Sequence, residues 1–164
     1  MPIAPVLTLR SADDADIPDI IAANNANIPA VSNLDADIAK KLLDAADIAL
    51  VAEVEGAFAG FIFALPDGLD DFSALNYRWF EENLDSWLYV ERVVVADGNQ
   101  GRGIGRKFYD HLMERTDRRH LVSEVNTNPR NDASLAFHDR FDFEPIGELT
   151  YGDDITCVKL ARTI

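Results

Sequence analysis

The sequence has few residues that could form disulfides or metal sites. It also has no long apolar run and no excess of positive charge, and each of these absences excludes a class of protein. Cys157 is the only cysteine among 164 residues, so neither an internal disulfide nor a cysteine metal cluster can form. The three histidines lack metal-ligand spacing, and we expect no bound metal. No stretch approaches the roughly 20 consecutive apolar residues of a membrane-spanning helix. The N-terminus also lacks the basic and apolar segments of a secretory signal, so we expect a soluble, cytoplasmic protein.

The charge balance limits the partners of this chain. Fifteen basic residues against twenty-nine acidic ones give a formal net charge of −14. Nucleic acid and anionic membranes both require a positive footprint, so we expect neither as a partner. A negative field attracts cations, among them an amine substrate. Most of the surface aspartates and glutamates are expected simply to maintain solubility.

The length and the order of predicted elements indicate one domain over residues 1–164. The pattern predicts a strand, helical segments, a hairpin, a connection of about twenty residues that is either functional or a small helical lid, and then β, α, β, α and a closing hairpin. Strands and helices in this order are typical of an α/β (α+β) fold. We expect a mixed sheet with helices on both faces.

A cationic, glycine-rich turn, NQGRGIGRKF at residues 99–108, follows the apolar run VERVVVADG. A helix N-terminus exposes unsatisfied N–H groups and the positive end of the helix dipole, so anions bind there when glycines allow close approach. The spacing matches neither the dinucleotide pattern G-x-G-x-x-G nor the P-loop pattern G-x-x-x-x-G-K-[ST]. The pattern that remains is Q-x-x-G-x-G, with Gln100, Gly103 and Gly105.

Two motifs together resemble the GNAT superfamily of acyl-CoA-dependent N-acyltransferases. VERVVVADGNQGRGIGRKF resembles its strand, pyrophosphate loop and helix, and EVNTNPRNDASLAFHDRFDF resembles its second signature. The resemblance is specific over about residues 87–145 and extends elsewhere only to the order of elements. It implies a GNAT-like mixed, mostly antiparallel sheet of six to seven strands that is splayed at the central acetyl-CoA-binding strands. It also implies acetyl transfer from acetyl-CoA to a primary amine, of a small molecule or a peptide N-terminus, by direct attack in a ternary complex.

The resemblance implies acetyl-CoA as cosubstrate and a set of residues that hold it. Main-chain groups of residues 93–95 would pair with the pantetheine arm, and those of residues 101–106 would bind the pyrophosphate, with arginines adding charge. Asn131 matches a side-chain amide on the cofactor arm. The implied cofactor-binding residues are Val93, Val94, Val95, Gln100, Gly101, Arg102, Gly103, Ile104, Gly105, Arg106 and Asn131.

Three residues are candidates for proton transfer. Glu91 lies in the valine-rich strand and Glu124 in the next one. Each glutamate matches a family arrangement for the catalytic base, and the sequence alone does not decide which of the two is the base. His138 stands where the family often has a tyrosine, and it would either protonate the leaving thiolate or merely pack against the cofactor. Asp142 replaces a usual glycine, which is tolerable in a left-handed turn.

The resemblance also implies which residues would bind the amine acceptor. The candidates come from two further regions and are Asn25, Tyr77 and Trp79. Aromatic and acidic side chains together could hold an organic cation. The aromatic segment would equally serve as a lid core or as a homodimer contact. Two rivals to catalysis therefore stay open: a regulatory module that binds acetyl-CoA without turnover, and an assembly protein that uses the aromatic lid.

Overall fold

A computed structural model describes residues 3–29 and 31–164. The strands are β1 Leu7–Ser11, β2 Ile48–Val54, β3 Ala57–Pro66, β4 Trp87–Val95, β5 His120–Asn128, β6 Glu144–Tyr151 and β7 Ile155–Thr163; the α-helices are α1 Ile17–Asn25, α2 Ala36–Ala45, α3 Leu75–Asn83, α4 Ile104–Arg115 and α5 Asp132–Arg140. Within these described ranges, no helix combines the length and the apolar character that crossing a membrane requires.

The described strands form a seven-stranded sheet in the order β1-β2-β3-β4-β5-β7-β6. β1–β2, β2–β3, β5–β7 and β6–β7 pair antiparallel, whereas β4 and β5 pair parallel over three residue pairs, from Trp87↔His120 to Tyr89↔Val122. The prediction of a mixed, mostly antiparallel sheet is confirmed. β7 lies between β5 and β6, an order that the predicted closing hairpin did not specify.

The chain forms two compact units, and the first consists of the residues up to Leu65 together with Val90–Arg115. It contains α1, α2, β1–β3, most of β4, and α4. Its core comes from the apolar strands β2 and β3 and from one face of α4, where Ile104, Phe108 and Leu112 are buried. Asp35 caps α2 by accepting a hydrogen bond from the Ile38 amide at 2.8 Å.

The second unit consists of Pro66–Tyr89 and Thr116–Ile164. It contains α3, the first residues of β4, β5, α5, β6 and β7. An aromatic cluster forms much of its core; the rings are Phe72, Tyr77, Phe80, Trp87 and Tyr89, with centroids 4.9–6.5 Å apart. The prediction of one domain over the whole chain stays a prediction.

Gly60 on β3 allows the main chains of β3 and β4 to approach closely. A Cβ atom at this position would lie 2.6 Å from the carbonyl oxygen of Val94 and 3.2 Å from the Cα of Val95. Both atoms belong to the backbone, so no side-chain rotation could relieve the contact. Local sequence patterns do not reveal this requirement, because it connects residues far apart in the chain.

Gly60→Ala is therefore expected to lower the free energy of unfolding by about 2–3 kcal/mol, since one strand must move. Denaturant unfolding measures the change. Gly68→Ala is the control, because nothing lies within 4 Å of a Cβ there and the cost is that of its left-handed backbone, about 1 kcal/mol. Equal losses in the two variants would contradict the close-approach argument.

Candidate functional site

The turn after β4 presents glycine backbone to open space. Gly98, Gly101 and Gly103 have φ values of 83°, 78° and 77°, a left-handed conformation that glycine adopts without a Cβ clash. Apart from the adjacent residues of the turn itself, no atom of the described residues lies within 4 Å of a Cβ built on any of the three. The turn therefore leaves room for a ligand against the main chain at the N-terminus of α4.

Gln100 shapes this turn from within. Its Oε1 accepts a hydrogen bond from the Gly98 amide at 3.0 Å, and its Nε2 donates to the Val95 carbonyl at 3.4 Å. The side chain thus ties the end of β4 to the turn. These internal hydrogen bonds are enough to explain why the motif has a glutamine at this position, and they require no direct contact between Gln100 and a ligand.

The charge at the start of α4 is positive. The first turn of the helix carries no acidic residue, and Arg102 and Arg106 are exposed. Ile104 is buried and anchors the helix, whereas Gly105 is half-buried. Along β4, Val94 is buried, and Val93 and Val95 are half-buried. All these predicted cofactor-binding residues belong to the first unit.

Glu91 on β4 has a largely buried carboxylate, with 17% of the side-chain surface exposed. Its Oε2 lies 3.2 Å from Nε of Arg92, and among the described residues this buried oxygen has no hydrogen-bond partner. Burial raises the pKa of Glu91, and the positive charge of Arg92 opposes the shift. A buried carboxylate with an unused acceptor atom is suited to take up a proton.

Asn25, a predicted substrate-binding residue, is engaged within its own unit. Its Oδ1 accepts a hydrogen bond from the Leu34 amide, and its Nδ2 donates to the Leu34 carbonyl, both at 3.0 Å. The side chain thereby bonds both main-chain groups of Leu34 and ties the residues just before α2 to the end of α1. Asn25 positions this segment, and its amide is not available to a substrate in this arrangement.

Glu124 on β5 accepts a hydrogen bond from the Tyr89 hydroxyl at 2.6 Å. On its other side it lies opposite Lys159 of β7 in the antiparallel ladder. Both partners belong to the second unit, whereas Glu91 belongs to the first. Glu124 thus has the Tyr89 hydroxyl as a hydrogen-bond donor and the cationic residue Lys159 as its partner on the next strand.

Lys159 is a functional candidate that the sequence analysis missed. It is completely buried, and its Nζ donates to Oδ1 of Asn76 at the start of α3. The ammonium group lies 5.4 Å from the centre of the Phe80 ring. Burial lowers the pKa of Lys159, and the charge of Glu124 opposes this. The β5–β7 pairing creates this cluster, so no local pattern could have revealed it.

His138 on α5 is buried among aromatic rings, with Phe143 at 5.0 Å between centroids. Its Nδ1 lies 2.7 Å from the Ser134 carbonyl oxygen, which accepts only from a protonated Nδ1. Burial lowers the pKa of His138, and this hydrogen bond opposes the shift. The neutral ring is therefore the favoured form near pH 7.

Asn131 and Asp142 frame α5. Asn131 caps the helix, with Oδ1 accepting from the Ser134 amide at 3.2 Å. Asp142 lies just after the helix at φ 61°, which is the left-handed conformation expected from its place in the motif. The amide oxygen of Asn131 is therefore used within the protein.

The two aromatic residues predicted for the acceptor side have different surroundings. Tyr77 is completely buried, and its hydroxyl donates to the Pro66 carbonyl at 2.6 Å and accepts from the Leu69 amide at 3.0 Å. Burial raises its pKa to about 12. Tyr77 is thus part of the core of the second unit and exposes no surface to a ligand. Trp79 is half-buried, and its ring covers Gly147 on β6, where any Cβ would overlap it.

A family model matches most of the chain. Residues 19–143 match the model described as acetyltransferase (GNAT) family. The matched range includes β4, the glycine turn, α4, β5 and α5. Among the described residues, no group of three or more His, Cys, Asp or Glu side chains is arranged to hold a metal ion.

One curated relative is phosphinothricin N-acetyltransferase of Streptomyces viridochromogenes, 30% identical over 101 residues, which are 61% of this chain and 49% of that protein. The chain spans about half the length of the curated relatives it matches. Among solved structures, ribosomal-protein-alanine N-acetyltransferase of Brucella melitensis is 25% identical with a TM-score of 0.71, covering 96% of this chain and 99% of that one. The Salmonella typhimurium protein yncA, solved with its cofactor acetyl-CoA, is similar in fold, with 23% identity, a TM-score of 0.68, and 96% and 93% coverage.

Proposed function

The chain belongs to the acetyltransferase (GNAT) family, and on this premise we propose that it is an acetyl-CoA-dependent N-acetyltransferase. The proposed acceptor is a primary amine of a small molecule or of a peptide N-terminus. The amine attacks directly while both substrates are bound, so sequential kinetics are expected. The N-acetyltransferase relative and the acetyl-CoA bound in yncA support the proposal.

The observation that carries the proposal is the open glycine turn at the start of α4. At three left-handed glycines, no atom of the described residues beyond the chain neighbours lies within 4 Å of the position of a Cβ. Helix N-terminal amides and nearby arginines attract a diphosphate, so the residues present fit coenzyme A. When bound, acetyl-CoA supplies the acetyl group as a thioester, which is reactive toward amines.

The proposed roles of the chain's residues follow from these contacts. Main-chain amides of residues 101–106 bind the diphosphate, Arg102 and Arg106 add charge, and Gln100 holds the turn. Residues 93–95 and Asn131 are proposed to contact the rest of the cofactor. Trp79 is kept as a proposed wall of the acceptor site, whereas Tyr77 and Asn25 are proposed to support the surrounding structure.

We assign the role of proton acceptor to Glu91. An amine must lose a proton as it is acylated, and a carboxylate of raised pKa is the better base. The unused buried oxygen of Glu91 supports this role. Glu124 is the alternative base, and its hydrogen bond from Tyr89 makes it the weaker candidate.

His138 is proposed to pack rather than to donate a proton. A donor must be protonated, yet burial favours the neutral ring, and its Nδ1 proton is bound to Ser134. His138→Phe preserves a buried aromatic ring, so we expect kcat to change by less than about threefold, well below the 10²-fold or more typical of an acid catalyst. Steady-state kinetics at pH 7 measures this; a 100-fold loss with unchanged coenzyme A affinity would restore the donor role.

The experiment that tests the proposed function measures thiol release from acetyl-CoA across a panel of primary amines. The expected result is amine-dependent release with intersecting initial-rate lines, which indicate a ternary complex. The panel should include cationic amines, because the net charge of −14 attracts them. Tight coenzyme A binding without release for any amine would favour the regulatory module instead.

A further inference from the structure

Arg92 is the second charged residue of β4, and it binds the segment that precedes α2. Its Nη1 donates to the Ser32 carbonyl at 2.8 Å and to Asn24 Oδ1 at 3.3 Å, and its Nη2 donates to the Ser32 hydroxyl at 3.0 Å. All three acceptors are neutral. The guanidinium is thus fixed by hydrogen bonds that leave its positive charge uncompensated on this side.

The other side of the same guanidinium faces Glu91. Arg92 Nε lies 3.2 Å from Glu91 Oε2, and just 9% of the arginine side chain is exposed. Neighbouring residues of a strand point to opposite faces, so both long side chains must bend for their charged ends to meet. Within the described residues, these two buried atoms are ion-paired without forming a hydrogen bond to each other or to another group. Among these contacts, the Glu91 oxygen is held by the charge of Arg92 and not by a hydrogen bond.

The anchor of Arg92 is itself rigid. Asn24 is completely buried, and its Nδ2 donates to the Ser32 carbonyl at 2.9 Å and to Asn25 Oδ1 at 3.0 Å. Asn25 in turn is bonded to Leu34 through both ends of its amide. The end of α1 and residues 32–34 thus form one hydrogen-bonded body. A planar guanidinium can bind this body and a carboxylate at once, whereas a lysine ammonium lacks the fixed fork.

From these contacts we infer that Arg92 is a positioning residue: by holding Glu91 Oε2 at its Nε, it fixes the Glu91 carboxylate relative to residues 32–34 and so sets the orientation in which that carboxylate meets the acceptor amine. The inference rests on the proposed function. It adds a role for a residue that neither motif singles out. Arg92 acts through Glu91 and touches no substrate itself.

The test compares Arg92→Lys with Ser32→Ala and Arg140→Lys. Arg92→Lys keeps the charge and loses the fork, so we expect kcat at saturating amine to fall by about tenfold or more, because misplaced groups lose rate steeply. Ser32→Ala removes one of the three anchoring contacts and is expected to cause a smaller loss. Arg140 is exposed on α5, and its lysine variant should keep the wild-type kcat.

Two further measurements distinguish a positioning role of Arg92 from a general loss of structure in the variants. The dissociation constant of coenzyme A should stay within about twofold in all three variants, since none changes the glycine turn. Hydrogen exchange at the Leu34 amide, which is bonded to Asn25, should accelerate in Arg92→Lys and less in Ser32→Ala. These readouts do not depend on turnover.

The outcomes distinguish this inference from the proposed function. If the wild type acetylates an amine and Arg92→Lys retains its kcat, charge alone suffices and the positioning role is overturned. A lower kcat accompanied by weaker coenzyme A binding would also overturn it, because the defect would then be general. A wild type that binds coenzyme A but acetylates no amine would remove the proposed function and this role with it.

Discussion

Gly103→Val is expected to weaken coenzyme A binding by about 100-fold or more. Gly103 has a φ of 77°, and a valine there must either strain the backbone or move the turn. Its side chain would also enter the open space beside the amides of the α4 N-terminus. The loss of two charge-assisted hydrogen bonds, each about 1.5–3 kcal/mol, is sufficient for the expected change. Isothermal titration with coenzyme A measures it directly and requires no acceptor.

Gly56→Val is the matched control for this variant. Gly56 lies in the turn between β2 and β3, also has a φ of 77°, and likewise has no atom within 4 Å of a built Cβ. The two valines therefore impose the same backbone strain in equally open positions of the same unit. Only Gly103→Val, in the turn that precedes α4, should bind coenzyme A more weakly. Unchanged affinity in Gly103→Val, or equal losses in both variants, would contradict binding at this turn.

The features of the site that the sequence predicted correctly are local ones. The strand, turn and helix from β4 to α4 and the left-handed Asp142 each depend on residues within a few positions of one another. Backbone conformation and helix capping are determined at that range. For this reason the glycine turn could be located, and its ligand class proposed, before any tertiary contact was known.

The features that the sequence did not predict depend on contacts between distant residues. Lys159 faces Glu124 because β7 inserts beside β5, and Arg92 reaches Ser32 across sixty positions. Gly60 is required by the approach of Val94. Periodicity tells which face of a strand is buried and does not tell which strand lies beside it.

Two predicted acceptor residues show a related limit. Tyr77 and Asn25 are residue types suited to binding, yet the structure uses their polar groups internally. Buried polar groups must find partners, and the nearest main chain often supplies them. Residue type alone therefore overestimates the number of side chains available to a ligand.

The pH dependence of the reaction should reveal the raised pKa of Glu91. A base acts in its deprotonated form, so activity falls as the pH drops through its pKa. Burial raises the pKa of Glu91, and the fall therefore begins at a higher pH than for an exposed glutamate. The acceptor amine must also be neutral, and a peptide α-amine has a pKa of about 8. Below both values, log kcat/KM should rise with pH with a slope of about two.

Glu91→Gln is expected to lower kcat/KM at pH 7 by about 10² to 10⁴-fold, since it removes the base and keeps the shape of the side chain. The slope at low pH should fall to about one, because only the amine then titrates. Glu124→Gln is the matched comparison: it retains an acceptor oxygen for Tyr89 and should keep the slope of the wild type. If the slope at low pH fell to about one in Glu124→Gln and stayed at about two in Glu91→Gln, Glu124 would be the base. Unchanged slopes in both variants would mean that neither carboxylate is the base, and that a different group accounts for the second titration.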